Sequence, residues 1–292
     1  MGSSRSLIFI PGNNQRFLEK SKGINSDILC FDLEDSVPSE EKEVAREYIQ
    51  KIVGELYNNT ELKKERIVAV RINSPKSEHI LNDLNKVVIN GVDAIVIPKV
   101  DEVSQISEIS KIIEKLEHEK NISNGHIKII PSIESALGVV NGFNIASCNE
   151  RISSLVFGIF DFLHDMKIDN SDNDIFTGYM YARAKVPVDA RAAGIDSIDS
   201  IWQDINDLDG LNKDLKLGKK FGYNGKCIIH PSQIDHVHKT FSPSKQDIEW
   251  AKKVVQVLDN AQKNHATGAV RLEGKMIDAV HYKQAKRILD SI

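Results

Sequence analysis

Short apolar runs alternate with helically spaced segments along most of the chain. The runs fall at 7–10, 28–33, 67–72, 94–97, 127–133, 155–159, 195–198 (the weakest) and 227–229. Most are rich in β-branched residues and lack the strict polar alternation of a sheet with one wet face, which is the pattern of strands buried on both sides. The segments between them, 39–56, 77–89, 101–120, 136–147, 174–193, 203–222 and 232–240, read as helices. In 101–120, Val103, Ile106, Ile109, Ile113 and Leu116 recur every three or four positions, so they share one helix face. Eight strands, each followed by a helix, predict an α/β fold of the (β/α)8 TIM-barrel type. A doubly wound open sheet competes, but it carries fewer strands and a Gly-rich first turn. The first turn here is Pro11-Gly12-Asn13-Asn14, which is no dinucleotide fingerprint. The barrel is expected over 1–240. Ser242-Pro243-Ser244 then breaks the chain, and 245–264 reads as a helix, followed by a Gly-containing hairpin and a last helix over 281–290. Residues 241–292 are read as a C-terminal lid extension able to cover a barrel mouth.

Composition changes this picture little. The 292 residues carry 38 Lys+Arg against 42 Asp+Glu, a net charge of −4, so the basic stripe that marks a nucleic-acid partner is not expected. No run reaches the 18 or so apolar residues of a membrane span. The stretch 7–10, ended by Pro11 and Gly12, is too short for a signal-peptide core and reads as a strand. Cys30, Cys148 and Cys227 are widely spaced and outside any CxxC, which disfavours a disulfide framework or a zinc cluster and fits a reducing, cytoplasmic setting.

Chemistry is expected where a barrel puts it, at the C-terminal ends of the strands. There the chain carries Asp32-Leu33-Glu34-Asp35, Arg71 and Asn73, Pro98-Lys99, Glu134, Asp161, Asp199 and His230-Pro231. Each has a plainer reading. Asp35 and Asp161 serve equally as helix N-caps, Arg71 as a structural ion-pair partner, Lys99 as a solvated lysine, and His230 as a histidine bonded to backbone. Glu134 is harder to explain that way, because Glu is a poor N-cap. Taken together, Glu134 and Asp161 offer a carboxylate pair suited to Mg2+, which keeps several waters. The absence of a His pair disfavours zinc. Arg71 nearby suits a substrate carboxylate.

At these residues the sequence resembles the HpcH/HpaI aldolase and citrate lyase β-subunit family, in its CitE-like branch. The matching stretches are RSLIFIPGNN (5–14), DILCFDLEDSVPSEEKEVAR (27–46), VRINSP (70–75), DAIVIPKV (93–100), IPSIES (130–135), FGIFDFLHD (157–165), ARAAGIDSID (190–199), GYNGKCIIHPSQID (222–235) and LEGKMID (272–278). The resemblance implies a Mg2+-dependent (β/α)8 homo-oligomer, commonly a trimer. Such an enzyme makes or breaks a carbon–carbon bond in β-hydroxyacyl thioesters of CoA or of an acyl carrier protein. By the same resemblance Glu134 and Asp161 are the metal ligands, and Arg71 polarises the reacting group. Asp35 holds metal-bound water. Asp278 acts in proton transfer from the lid of a neighbouring subunit. Arg5, Phe9, Pro11, Arg16, His230 and Pro231 line the thioester groove, with Lys99 as a further substrate contact. Relatives usually carry Glu-Asp where this chain has Phe160-Asp161. They usually carry a glycine a few residues later, near Met166-Lys167, and a proline after the MID segment, where this chain has Ala279-Val280.

The expected activity is therefore an oxo-acid lyase reaction on a citramalyl-CoA or malyl-CoA type substrate, giving an α-keto acid and acetyl-CoA. A citryl thioester lyase subunit of a citrate lyase complex, a malyl-CoA thioesterase and a non-catalytic scaffold subunit are the alternatives.

Overall fold

The computed structural model describes residues 4–59, 61, 66–168, 178–263 and 268–290. The eight expected strands are present and close into a parallel barrel: β1 (Ser6–Pro11), β2 (Ile28–Asp32), β3 (Ile67–Arg71), β4 (Ala94–Ile97), β5 (Lys128–Ile133), β6 (Ser154–Phe157), β7 (Asp196–Asp199) and β8 (Gly225–Ile228). Each pairs with the next in sequence, and β8 returns to β1 with Leu7 opposite Cys227. Helices follow the strands: α1 (Gln15–Ser21), α2 (Lys42–Asn58), α3 (Ile80–Val87), α4 (Val103–Glu119), α5 (Ala136–Ser147), α6 (Ile159–Asp165), α7 (Met180–Ala192), α8 (Leu208–Phe221) and α9 (Ile234–Phe241).

Period-two alternation along the strands sorts the side chains into two layers. Ile28 and Cys30 of β2, Ala69 of β3, Ala94 and Val96 of β4, and Ile130 of β5 share the barrel interior with Leu7, Val156, Ile198 and Cys227. Their neighbours Leu29, Val68, Val70, Ile95 and Ile129 are just as buried on the other face. Burial on both faces is why these strands read as unbroken apolar runs. Each such side chain contributes roughly 1.5–3 kcal/mol.

Most element boundaries differ from the sequence reading by one to three residues, and three differences carry a physical reason or bear on the site. β6 ends at Phe157, and Ile159 and Phe160 open α6 instead of extending the strand. An apolar run carries no mark of the change from strand to helix; Gly158 makes it, its carbonyl accepting from the Phe162 N–H at 3.2 Å. α8 starts at Leu208, later than the expected 203, because Asp207 caps it by accepting from the Gly210 N–H. The expected helix 174–193 is observed as Met180–Ala192, and its first residues lie outside those described.

The chain divides into two compact units, 1–238 and 239–292. In the second, α10 (Lys245–Lys263), β9 (Ala269–Leu272), β10 (Lys275–Asp278) and α11 (Ala279–Asp290) enclose their own core of Ala251, Val254, Leu258, Ile277 and Ala285. Glu273 and Gly274, both at positive φ (48° and 82°), turn the β9–β10 hairpin, which matches the twist of a two-residue primed turn. Among the described residues no helix is long and apolar enough to cross a membrane.

Candidate active site

The interior alternation continues past the strand ends, and there it becomes polar. Ile28 and Cys30 lead to Asp32 and Glu34, Ile67 and Ala69 to Arg71, and Ile130 to Ser132 and Glu134. Arg71 is the centre of this group. Its Nε and Nη2 donate to Asp32 Oδ1 and Oδ2 at 2.6 and 2.8 Å, a planar two-point pair. Its Nη1 lies 3.1 Å from Glu34 Oε2, close enough for an ion pair but not aligned as a hydrogen bond. Its guanidinium carbon lies 4.6 Å from the centre of the Phe9 ring. Asp32 is fully buried and also accepts from the Ser36 hydroxyl and the Glu34 N–H. Burial opposes the charge of Asp32, but Arg71 and Ser36 outweigh it and hold the carboxyl below its usual value. Against its own burial, Arg71 is raised well above its usual value by Asp32, Glu34 and Glu134. It is a fixed cation, with N–H groups left to offer a ligand.

Glu134 follows β5 and is 6% exposed, and its Oε2 has no hydrogen-bond partner. Burial first, then the negative charges of Glu34 and Asp161, push its carboxyl up to about 8 against the pull of Arg71 and Lys99. Gly158 lies directly behind it: a Cβ there would stand 2.8 Å from Glu134 Cδ. Asp161 sits in the first turn of α6, with Gly158 as the cap, so it is no N-cap itself. Asp35 is exposed in the turn after β2. Five carboxylates (Asp32, Glu34, Asp35, Glu134 and Asp161) thus converge on two cations, Arg71 and Lys99. Among the described residues no three His, Cys, Asp or Glu side chains enclose a metal, and a Mg2+ site does not need them, since one or two carboxylates suffice. The unpartnered buried oxygen, the glycine that makes room for it and the surplus of negative charge fit a hard divalent cation.

Asp32, Asp35, Arg71, Glu134 and Asp161 line a cavity of about 700 Å3. Apart from them its walls are largely apolar, with Phe9, Pro11, Phe17, Phe160, Ile201 and Ile229 among the lining residues. His230 and Pro231 line it as well. His230 Nδ1 also meets the Ser232 hydroxyl at 2.7 Å and accepts from the Ser232 N–H, so its bond to backbone and its place in the wall hold together.

Of the expected site residues, Phe9, Pro11, Asp35, Arg71, Glu134, Asp161, His230 and Pro231 are brought together around this cavity. Arg5, Arg16 and Lys99 do not line it. Arg5 precedes β1, at the N-terminal end of the barrel, where its side chain grips Asp27 through Nε at 2.8 Å and Nη2 at 2.8 Å. It is a structural partner at the end opposite the cavity. Arg16 is exposed on α1, and Phe17 and Lys20 of the same helix line the cavity. The Lys99 ammonium lies 2.7 Å from Glu34, 3.3 Å from Asp35 and 3.6 Å from Asp161. Asp278 belongs to the second unit. There its Oδ1 accepts from the Val280 and His281 N–H groups at the start of α11 and meets His281 Nδ1 at 2.7 Å. The His281 contact, with these backbone donors, holds its carboxyl below the usual value.

In the sequence Asp32 and Glu34 stand out only as part of the acidic stretch after β2, with no role of their own. Positions 28, 30, 32 and 34 carry the interior face of β2 onward by steps of two, and that period is the signal that assigns them to the site.

The family model for HpcH/HpaI aldolase/citrate lyase matches residues 5–231. The citrate lyase subunit beta of Haemophilus influenzae is 34% identical over 286 residues, covering 98% of this chain and 96% of that protein. A (3S)-malyl-CoA thioesterase of Cereibacter sphaeroides is 28% identical over 285 residues, covering 98% and 93%. CitE from Mycobacterium tuberculosis, solved in complex with magnesium, acetoacetate and coenzyme A, superposes with a TM-score of 0.77 at 23% identity, covering 99% of this chain and 98% of that one. With the barrel closed, the strand-end constellation in place and these likenesses spanning nearly its full length, the chain belongs to the HpcH/HpaI aldolase/citrate lyase family.

Proposed function

We propose that the protein is a Mg2+-dependent lyase that cleaves a β-hydroxyacyl-CoA of malyl or citramalyl type into an α-keto acid and acetyl-CoA. The observation that carries this is the orphaned, buried Glu134 carboxylate beside Asp161 and Arg71, in a chain of this family. Glu134 and Asp161 would hold the metal, with Asp35 placed to hold a water on it. When bound, Mg2+ supplies Lewis-acid chemistry, drawing charge from the substrate hydroxyl and its adjacent carboxylate.

The chain's own residues do the rest. Arg71, locked by Asp32, turns its remaining N–H groups to the oxygen on which charge develops as the carbon–carbon bond breaks, and it needs no reorganisation to do so. The substrate hydroxyl gives its proton to a carboxylate of the cavity, for which the exposed Asp35 is placed, its carbon becomes the keto carbon, and the broken bond leaves its electron pair on the acetyl thioester as an enolate. We assign Asp278, from the 239–292 unit of a second copy, to protonate that carbon in cleavage and to deprotonate the methyl group in condensation. Met276 and Val280 beside Asp278 are 74% and 59% exposed, as expected of a surface that closes on another subunit and excludes water. Phe9, Pro11, His230 and Pro231 would line the path of the thioester arm. A homo-oligomer in a reducing compartment, the cytoplasm, completes this reading.

The citrate lyase subunit beta of H. influenzae, at 34% identity, favours one second reading, a citryl thioester on CoA or on a carrier protein. The test is a panel of malyl-, citramalyl- and citryl-CoA with mass-spectrometric product identification, with and without Mg2+. Glyoxylate, pyruvate or oxaloacetate names the substrate, and free malate with free CoA points to hydrolysis. Product formation that ignores Mg2+ and survives Glu134→Ala would overturn the mechanism.

A further inference from the structure

We propose that Lys99 is a tethered counter-cation. In the metal-free protein it holds the carboxylate cluster together, and by occupying that place it sets how tightly the divalent ion binds. This rests on the reading of Glu134 and Asp161 as metal ligands.

The backbone carries the first observation. Ala94 and Val96 face the barrel interior, so simple alternation would place Pro98 on that side and turn Lys99 away. Lys99 instead adopts φ +53°, a left-handed conformation that is uncommon outside Gly, Asn and Asp and is strained for a long side chain. That turn sends its side chain to the site. The second observation is where the ammonium ends, 2.7 Å from Glu34 Oε1, 3.3 Å from Asp35 Oδ1 and 3.6 Å from Asp161 Oδ1. It bridges the acidic segment after β2 to the proposed metal ligand on α6. Arg71 is committed to Asp32 and Glu34, and it is not paired with Asp161. Among the described residues Lys99 is the cation paired with Asp161.

Charge decides the consequence. Without Lys99 the carboxylates around Glu134 repel one another, which disfavours the assembled site. With it, an incoming divalent ion meets a positive charge already seated, and must either displace the ammonium from Asp161 or tolerate it nearby. Lys99 therefore trades metal affinity for a preassembled site. It acts through the carboxylates, as a positioning residue.

The test is calorimetric titration of Mg2+, and separately Mn2+, into the metal-free full-length protein, with thermal unfolding of the same samples. Lys99→Met keeps the length and removes the charge; Lys99→Arg keeps the charge; Lys99→Asn removes the charge and tolerates the left-handed backbone, which covers a Met variant that folds poorly. We expect Met and Asn variants to bind Mg2+ about tenfold more tightly or better and to unfold at lower temperature without metal. The Arg variant should stay within about threefold of the parent, the spread usual for single contacts. Unchanged or weaker affinity in both neutral variants would overturn the proposal. Glu134→Gln is the control. If it binds Mg2+ as well as the parent, the metal assignment itself is wrong and Lys99 falls with it. If it loses binding while neutral Lys99 variants match the parent, only the role of Lys99 is wrong.

Discussion

At the scale of single residues, the site is a contest between burial and charge. Arg71 gains from being pinned: Asp32 takes two of its donors and Phe9 covers its face. Lysine cannot reproduce a planar fork. Arg71→Lys should therefore lower kcat/KM by about 10²–10³-fold, the usual loss for one oxyanion donor, with an unchanged circular-dichroism spectrum; near-parent kinetics would remove Arg71 from the reaction. Glu134 is the opposite case, a buried carboxylate with an unpartnered oxygen. Glu134→Gln removes the ionisable group without changing its size, so the metal-free protein should unfold at a higher temperature than the parent and gain nothing from Mg2+. Differential scanning calorimetry with and without the ion reads both. Most of this site was visible in the sequence, because strand ends are where a barrel gathers its polar groups. Direction is less legible. The stretch after β2 holds Asp32, Glu34 and Asp35, and the period of two from Ile28 is the one sign that Glu34 turns inward. Lys99 was read as a substrate contact, and nothing in the letters marks a positive φ that re-aims a side chain.

At the scale of elements, the junction from β6 to α6 matters most. The sequence extended the strand to 159 and thereby placed Asp161 as a strand-end residue. The structure puts it on a helix, one turn past Gly158, and it still reaches the cluster. The error is understandable physically: Leu155 to Phe160 is apolar except for the glycine, and apolarity reports burial, not dihedral angles. Gly158 has a negative φ, so its role is close approach rather than backbone freedom. A methyl group there overlaps the Glu134 side chain. Gly158→Ala should therefore shift the Glu134 carboxylate, weaken Mg2+ binding by an order of magnitude or more, and leave the barrel's spectrum intact. An Ala variant with parental Mg2+ affinity would show that Glu134 has room to yield. A similar limit held at α8 and α11. Their caps, Asp207 and Asp278, lie at or just before the first helical turn, where a run of apolar spacing has not yet begun.

At the scale of the whole molecule, the repeat of eight strands made the barrel readable, but the ionic connections between its layers were not. Arg183 of α7, Asp199 of β7, Asp214 of α8 and Lys226 of β8 form a buried network. Arg183 donates to both carboxylates, with Asp214 Oδ1 at 2.7 Å, and Lys226 Nζ reaches Asp214 Oδ2 at 2.6 Å. No spacing rule joins residues on four elements, and Lys226 in a short buried strand reads as an anomaly until its partners are seen. Burial opposes the charge of Asp214, but Lys226 and Arg183 more than offset it and hold its carboxyl below the usual value. A depressed carboxylate binds fewer protons folded than unfolded at low pH, so its stabilisation is present in full above its unfolded value and is lost as pH falls through the folded one. Asp214→Asn leaves two buried cations short of a partner and should cost about 3–5 kcal/mol at pH 7. As pH falls below the usual carboxylate range and the parent carboxylate itself takes up a proton, the gap between variant and parent should narrow. Urea unfolding of both proteins at pH 7, 4 and 2.5 measures this, and a gap that stays constant across the series would mean that Asp214 contributes by packing and not by charge.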